Sequence, residues 1–293
     1  MVARVIARGT GKTLSELLAA VHADPFDLAA RAVYADALQD AGDPRGEFIA
    51  LQLAGKATQR EKTLLKDHRK RWLGPLAKLV SNSSTRFENG FLRTVAITSQ
   101  QPLAPNQLAH PELATIEVLD VTGMRDTSHV ATQATELLTR YAKLQELVIV
   151  ARGLAHVAER IREHALTRLA VQLPSADLLP AALQRRTFPQ LRALRVWNQD
   201  PGPDALVRSA SAVPLDTFEC ELDGGAVRDA IAIGKLANIV ATLTVTCTWG
   251  KVRVTRKGDK LAIRPDMQPD ARPPQLAALI TALGRDRVTI VKR

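Results

Sequence analysis

The sequence predicts an α/β protein: a helical N-terminal domain, then a solenoid of strand–helix repeats, then a small αβ cap. Three observations predict it. Residues 13–80 carry apolar residues at helical spacing between proline and glycine stops. Residues 91–246 repeat one aliphatic pattern seven times at near-constant intervals. Residues 249–293 read as a hairpin, a helix and a strand. The expected organisation is a flexible N-terminus over 1–12, the helical domain over 13–90, the array over 91–248 and the cap over 249–293.

Composition supports an ordered globule. The 293 residues are 46% hydrophobic and 24% charged, which excludes disordered and fibrous chains. Aromatics are only 4%, so Leu, Val, Ile and Ala must fill the core. No apolar run approaches the roughly 20 residues of a membrane helix. The start, MVARVIARGTGKT, lacks the apolar stretch of a secretory signal. Two cysteines, Cys220 and Cys247, cannot frame a disulfide-rich fold. A reducing, cytoplasmic location with no membrane span is therefore expected. The net charge of +10 is uneven: residues 1–90 are +4, residues 91–240 are −1 and residues 241–293 are +7.

The helices follow from their caps. Thr13 and Glu16 form a capping box, and Leu14, Leu17, Leu18 and Val21 repeat behind it. Asp24-Pro25 stops this helix, because a residue before proline is pushed out of the α region. Asp27 caps a second helix with Leu28, Ala32, Ala35 and Leu38 as its expected buried stripe, and Gly42 and Asp43-Pro44 end it. Pro44 opens a third helix, where its missing N–H costs little. A fourth, TQREKTLLKDHRKRWL, breaks near Gly74-Pro75.

The string DPFDLAARAVYADALQDAGDPRGEFIALQ resembles the helical repeat-companion domain that accompanies leucine-rich-repeat-like arrays in some bacterial proteins. The matching residues are dense and continuous, from Asp24, Pro25, Asp27 and Arg31 through Tyr34 and Asp36 to Gly42, Asp43, Pro44, Arg45, Gly46, Glu47, Phe48 and Gln52. Ala37 departs from it, standing where the family usually has a large aromatic. The WLGPL and FENGFLRTVAI segments also fit. The resemblance implies architecture; it carries no catalytic role.

The array itself is the motif L-x-x-L-x-L with aliphatic substitutes. It falls at Leu92-Val95-Ile97, Leu113-Ile116-Val118, Leu144-Leu147-Ile149, Leu166-Leu169-Val171, Leu191-Leu194-Val196, Leu215-Phe218-Cys220 and Val240-Leu243-Val245. The starts are separated by 21, 31, 22, 25, 24 and 25 residues. Leucine-rich repeats have periods of about 20–29, with one strand per repeat, and stacking buries what no single repeat can bury. Stretches such as HVAERIREHA and DLLPAALQRR read as the outer helices. The regular asparagine ladder is missing: Gln100, Val121, Arg152, Pro174, Gln199, Asp223 and Thr248 occupy its positions. The array is therefore read as degenerate, with an ordinary α/β domain as the competing reading. In the cap, Lys257-Gly258-Asp259 marks a hairpin turn in VRVTRKGDKLAIRP, PPQLAALITALG a helix and RVTIVKR a last strand.

Strand alternation selects the candidate site. Between the aliphatics stand Glu117, Glu146, Arg168, Gln172, Arg195, Trp197, Glu219 and Glu221. Aligning the repeats puts Glu146 beside Arg168, Arg195 beside Glu219 and Trp197 beside Glu221. A Trp flanked by Arg is the residue pairing that dominates interface energies. The plainer account is a set of internal charge ladders of little individual worth.

Other motifs are weaker. Gly9-Thr-Gly-Lys-Thr13 lacks the first glycine of a phosphate loop, where Ile6 stands. His156, Glu159, Glu163 and His164 do not make a metal motif, and the expectation is no metal and no cofactor. Cys220 falls at an inward position, offset by two strand positions from Cys247. The basic runs Lys66 to Trp72 and Lys251, Arg253, Arg256, Lys257, Lys260 suit phosphate contacts but lack interleaved aromatics, with only Trp72 and Trp249 near. The functional expectation is a non-enzymatic scaffold for a protein or peptide partner, such as an accessory subunit of a modifying or biosynthetic enzyme system. The alternatives are a binder of nucleic acid or an anionic surface, and an enzyme with an unrecognised site.

Overall fold

The computed structural model describes residues 11–55, 58–124, 127–141, 143–172, 178–183, 187–197, 202–222, 227–247, 250–267 and 274–291. The chain is mixed α/β and divides into two compact units, 1–124 and 125–293. Outside the described residues lie positions 1–10, with most of the expected N-terminal segment, the turn positions Pro174, Gln199, Asp223 and Thr248, and Trp249.

The first unit begins with α1 (Leu14–Ala23), α2 (Leu28–Asp40), α3 (Pro44–Leu53) and α4 (Gln59–Leu73), followed by a 3₁₀ turn over Gly74–Lys78. Strands β1 (Arg86–Glu88) and β2 (Phe91–Ala96) form an antiparallel hairpin. The short α5 (Pro105–Leu108) and a second 3₁₀ turn lead to β3 (Val118–Asp120), parallel to β2.

The caps act as the sequence predicts. The Thr13 hydroxyl accepts from the Glu16 N–H at 3.3 Å, and the Glu16 carboxylate accepts from the Thr13 N–H at 2.7 Å. Asp27 accepts from the Ala29 and Ala30 N–H groups, and Asp43 from that of Arg45.

The buried face of α2 differs from the expected stripe. It consists of Arg31, Tyr34, Ala35, Ala37 and Leu38, while Leu28 is 51% exposed. An arginine takes the inward position because its guanidinium has carbonyls to meet: those of Glu88 at 3.0 Å, Asn89 at 3.2 Å and Pro25.

The second unit alternates strand and helix. In order it runs α6 (Thr127–Arg140), β4 (Glu146–Val150), α7 (Ala151–Arg160), β5 (Arg168–Gln172), α8 (Leu178–Leu183), β6 (Ala193–Trp197), α9 (Pro203–Ser211), β7 (Thr217–Glu221) and α10 (Val227–Ile239). It then continues with β8 (Thr242–Cys247), β9 (Gly250–Lys257), β10 (Lys260–Met267), α11 (Pro274–Leu283) and β11 (Val288–Ile290). Spatial order follows chain order. Strands β4 to β8 are parallel, β8–β9 and β9–β10 antiparallel, and β11 joins β10 in parallel. The hairpin turns at Gly258, whose φ of 60° is left-handed.

Two aliphatic ladders form the core of this unit. One is Leu147, Leu169, Leu194, Phe218, Leu243, Val254 and Ile263, joined pairwise in register. The other is Ile149, Val171, Val196, Cys220, Val245 and Val252. All thirteen are buried. Fully burying one such aliphatic side chain contributes about 1.5–3 kcal/mol. Successive helices pack against one another in chain order, from α6 through α11.

Two details correct the sequence reading. The second repeat is shifted by three residues: Val95 pairs with Leu119, so the inward trio is Ile116, Leu119 and Val121. Its start then lies 24 residues after Leu92 and 28 before Leu144, which evens the spacing. The helix expected in HVAERIREHA is α7 and ends at Arg160. Beyond it Glu163 has a φ of 54°, and the His164 ring accepts the Leu166 N–H, which turns the chain toward β5.

Candidate functional site

The side of the second unit's sheet opposite the aliphatic ladders presents three rows. The first row is Glu146, Arg168, Ala193, Thr217, Thr242, Thr255 and Ala262. Next to it run Val148, Ala170, Arg195, Glu219, Thr244, Arg253 and Arg264. The third includes Val150, Gln172 and Trp197, then Glu221, Thr246, Lys251 and Asp266. Strict alternation puts these residues on one surface because every second strand residue is already in the core.

A basin of about 420 Å³ lies over this surface. Glu146, Arg168, Arg195, Glu219, Thr244 and Arg253 are among its lining residues. Four of the eight residues singled out in the sequence therefore meet at one place. Glu146 and Arg168 are cross-strand partners, with Arg168 Nε 2.8 Å from Glu146 Oε2. Arg195 and Glu219 are also in register, but Arg195 Nε stands 4.0 Å from Glu219 Oε1. Lys251 Nζ is closer at 2.9 Å and makes the hydrogen bond. The Arg195 guanidinium instead lies over the Trp197 ring, 5.4 Å from its centroid.

The remaining candidates do not line the basin. Gln172 pairs with Trp197, which is partly buried. The β6–β7 ladder ends at Val196 and Cys220, one residue short of Trp197 and Glu221; Glu221 pairs with Thr246. Glu117 belongs to the first unit, where its carboxylate lies 3.2 Å from Arg93 Nε. It precedes β3 and, after the three-residue shift, stands outside the row in which the repeat spacing put it.

Lys251, Arg253 and Arg264 were missed as members of this surface. Their signal was present: VRVTR and LAIR alternate inward and outward, and the hairpin extends both aliphatic ladders. Treating the hairpin as a separate cap hid its outward residues.

Comparison with known proteins found no matching family model, curated protein or solved structure.

Other groups considered in the sequence have structural tasks. Thr13, the last residue of the phosphate-loop-like string, is the α1 cap. In the first basic run, Arg69 donates to the carbonyls of Ser81 and Thr85, Arg71 pairs with Asp43, and Trp72 is buried. His164 donates through Nε2 to the Leu138 carbonyl, since its Nδ1 accepts from Leu166; burial lowers its pKa. His156 and Glu159 form an exposed pair at 3.7 Å. Among the described residues no group of three or more His, Cys, Asp and Glu is placed to hold a metal ion. Cys220 and Cys247 are buried and form no disulfide. Burial pushes the Cys220 thiol pKa up, and Cys247, Glu219 and Glu221 push it the same way. Among the described residues no helix is long and apolar enough to cross a membrane.

The residues of the repeat-companion resemblance converge on the β1–β2 turn of the first unit. Arg45 donates to both Glu112 carboxylate oxygens at 2.5 and 2.7 Å and lies over the rings of Phe91 and Trp72. Gln52 accepts the Gly90 N–H at 2.7 Å. Gly90 has a φ of 81°, and a Cβ there would fall 2.1 Å from Ile49 Cγ1. This part of the motif clasps helices to a hairpin.

Proposed function

We propose that the second unit is a degenerate leucine-rich-repeat-like array that works without chemistry of its own, holding a protein or peptide partner on its open sheet face. One observation supports the reading most: a basin whose lining holds two acid–base pairs in register on successive strands, Glu146 with Arg168 and Arg195 with Glu219. Such a surface offers fixed, directional contacts to an extended chain, and its charges are arranged to select a complementary pattern. Arg195 on Trp197 supplies the flat, pre-ordered contact that concentrates binding energy in few residues. The partner class remains that of a scaffold, with an accessory role beside a modifying or biosynthetic enzyme.

The test is affinity capture from native lysate, with nuclease added, comparing the wild-type chain with Arg195→Ala/Trp197→Ala. A stoichiometric protein or peptide that survives high salt should be held by the wild type and lost at least about tenfold by the variant. Equal capture by a folded variant overturns the reading. Nucleic acid recovered only without nuclease, and released by salt, does so too.

A further inference from the structure

Resting on that reading, we infer that the hairpin end of the open face is a carboxylate-binding subsite, and that the occupant of the face is an acidic peptide. Arg253 and Arg264 are direct cross-strand partners on β9 and β10. Both are exposed, and neither makes a hydrogen bond or ion pair with any described residue. With Lys251 and Asp266, partners in the neighbouring row, they line a cavity of about 260 Å³. Arg253 also lines the larger basin, so the two hollows adjoin at this side chain.

The arginines of this face differ in what they meet. Elsewhere on the face each arginine has an acid or a ring: Arg168 has Glu146, and Arg195 lies on Trp197 with Glu219 beyond it. At the hairpin, two adjacent guanidinium groups stand side by side, and among the described residues none accepts from them. Like charges directly opposite on a sheet repel, and a carboxylate between them relieves that repulsion while accepting from both.

The occupant is an acidic peptide and not a nucleic acid for two reasons. Glu146, Glu219, Glu221 and Asp266 share the face, and a continuous phosphate backbone would run over them. Among the described residues the one aromatic that lines either hollow is the buried Phe218, and these offer bases no stacking platform. An extended peptide places single carboxylates at intervals and passes between the acids. Thr217, Thr242 and Thr244 line its course with hydroxyls that accept or donate.

The probe is a fluorescein-labelled octaglutamate, titrated by anisotropy against the full chain in moderate salt, beside octaglutamine and an eight-nucleotide oligothymidylate. The variant is Arg253→Gln/Arg264→Gln. Its control is Lys257→Gln/Lys260→Gln, which removes the same charge at the hairpin tip. Octaglutamate should bind more tightly than the other two probes. The arginine variant should weaken it at least about tenfold and the control less than about twofold. Equal loss in both variants assigns the binding to diffuse charge and overturns the subsite. Tighter binding of the oligothymidylate overturns the peptide assignment, and no octaglutamate binding overturns both. The general scaffold reading stands or falls separately, on Arg195 and Trp197.

Discussion

Removing Glu112 should cost the first unit much more stability than its surface-charge chemistry suggests. The Glu112 and Arg45 side chains are each only 12% exposed. Burial works against the Arg45 charge, but Glu112 more than offsets it, so the guanidinium pKa is raised overall. Truncating one member of a buried pair leaves the other uncompensated, at about 3–5 kcal/mol. Arg45 would keep the Gly90 carbonyl at 3.4 Å and the faces of Phe91 and Trp72. Those contacts put Glu112→Ala near the lower end, about 3 kcal/mol. With a urea slope of about 2 kcal/mol/M, the midpoint should fall by about 1.5 M. Trp72 fluorescence reports this unit if Trp197 and Trp249 are first changed to Phe. Arg45→Met/Glu112→Leu should recover most of the loss, since it removes both charges together. A cost for Glu112→Ala below about 1 kcal/mol would place the pair among exposed ones and refute the reasoning.

Two further outcomes follow from local geometry. Burial lowers the pKa of His164, and also of His22 and His110, so the unfolded chain binds protons more readily than the folded one. Their contribution to stability is complete above the unfolded value of about 6.5 and is lost as pH falls toward the lowered folded values. The urea midpoint should therefore drop between pH 7.5 and 5.5, and His164→Gln should shrink the drop; a pH-independent midpoint contradicts it. Gly90→Ala should destabilise the first unit by at least about 2 kcal/mol, because it combines a left-handed φ with a Cβ on Ile49. Gly258→Ala, with nothing within 4 Å, should cost the second unit less, read as urea unfolding of the full chain by circular dichroism for both variants, and equal costs would show that the Ile49 contact is relaxed.

What could be read from the sequence was whatever is decided locally. Thr13, Asp27 and Asp43 cap helices through backbone groups two or three residues away, so spacing alone revealed them. From Leu144 onward the repeats stack in the register their spacing implied, because each offers a single aliphatic trio. The second repeat offers two overlapping trios within LATIEVLDV, and only pairing with Val95 chooses between them. That choice moved Glu117 off its expected row. Arg31 was unreadable for another reason: hydropathy assigns an arginine outward, and the carbonyls that hold it come from Glu88 and Asn89, far along the chain. The basin combined both cases. Glu146, Arg168, Arg195 and Glu219 were legible from alternation, whereas the partner of Glu219 is Lys251, reached only by folding the hairpin back.

Chain-order strand succession in the second unit also sets how the chain can reach its structure. From β4 to β8 each strand pairs with the next, and the repeat starts lie 22 to 25 residues apart. Every pairing therefore closes a loop of nearly the same length, at about 3 kcal/mol of chain entropy apart from a constant. No strand of that run must wait for a distant one, so assembly can begin at any interior pair and grow in both directions. The antiparallel hairpin of β9 and β10 is closed by two residues, a far shorter loop than any of the parallel pairings. It is a natural first step, and its completion presents the next aliphatic rung to β8.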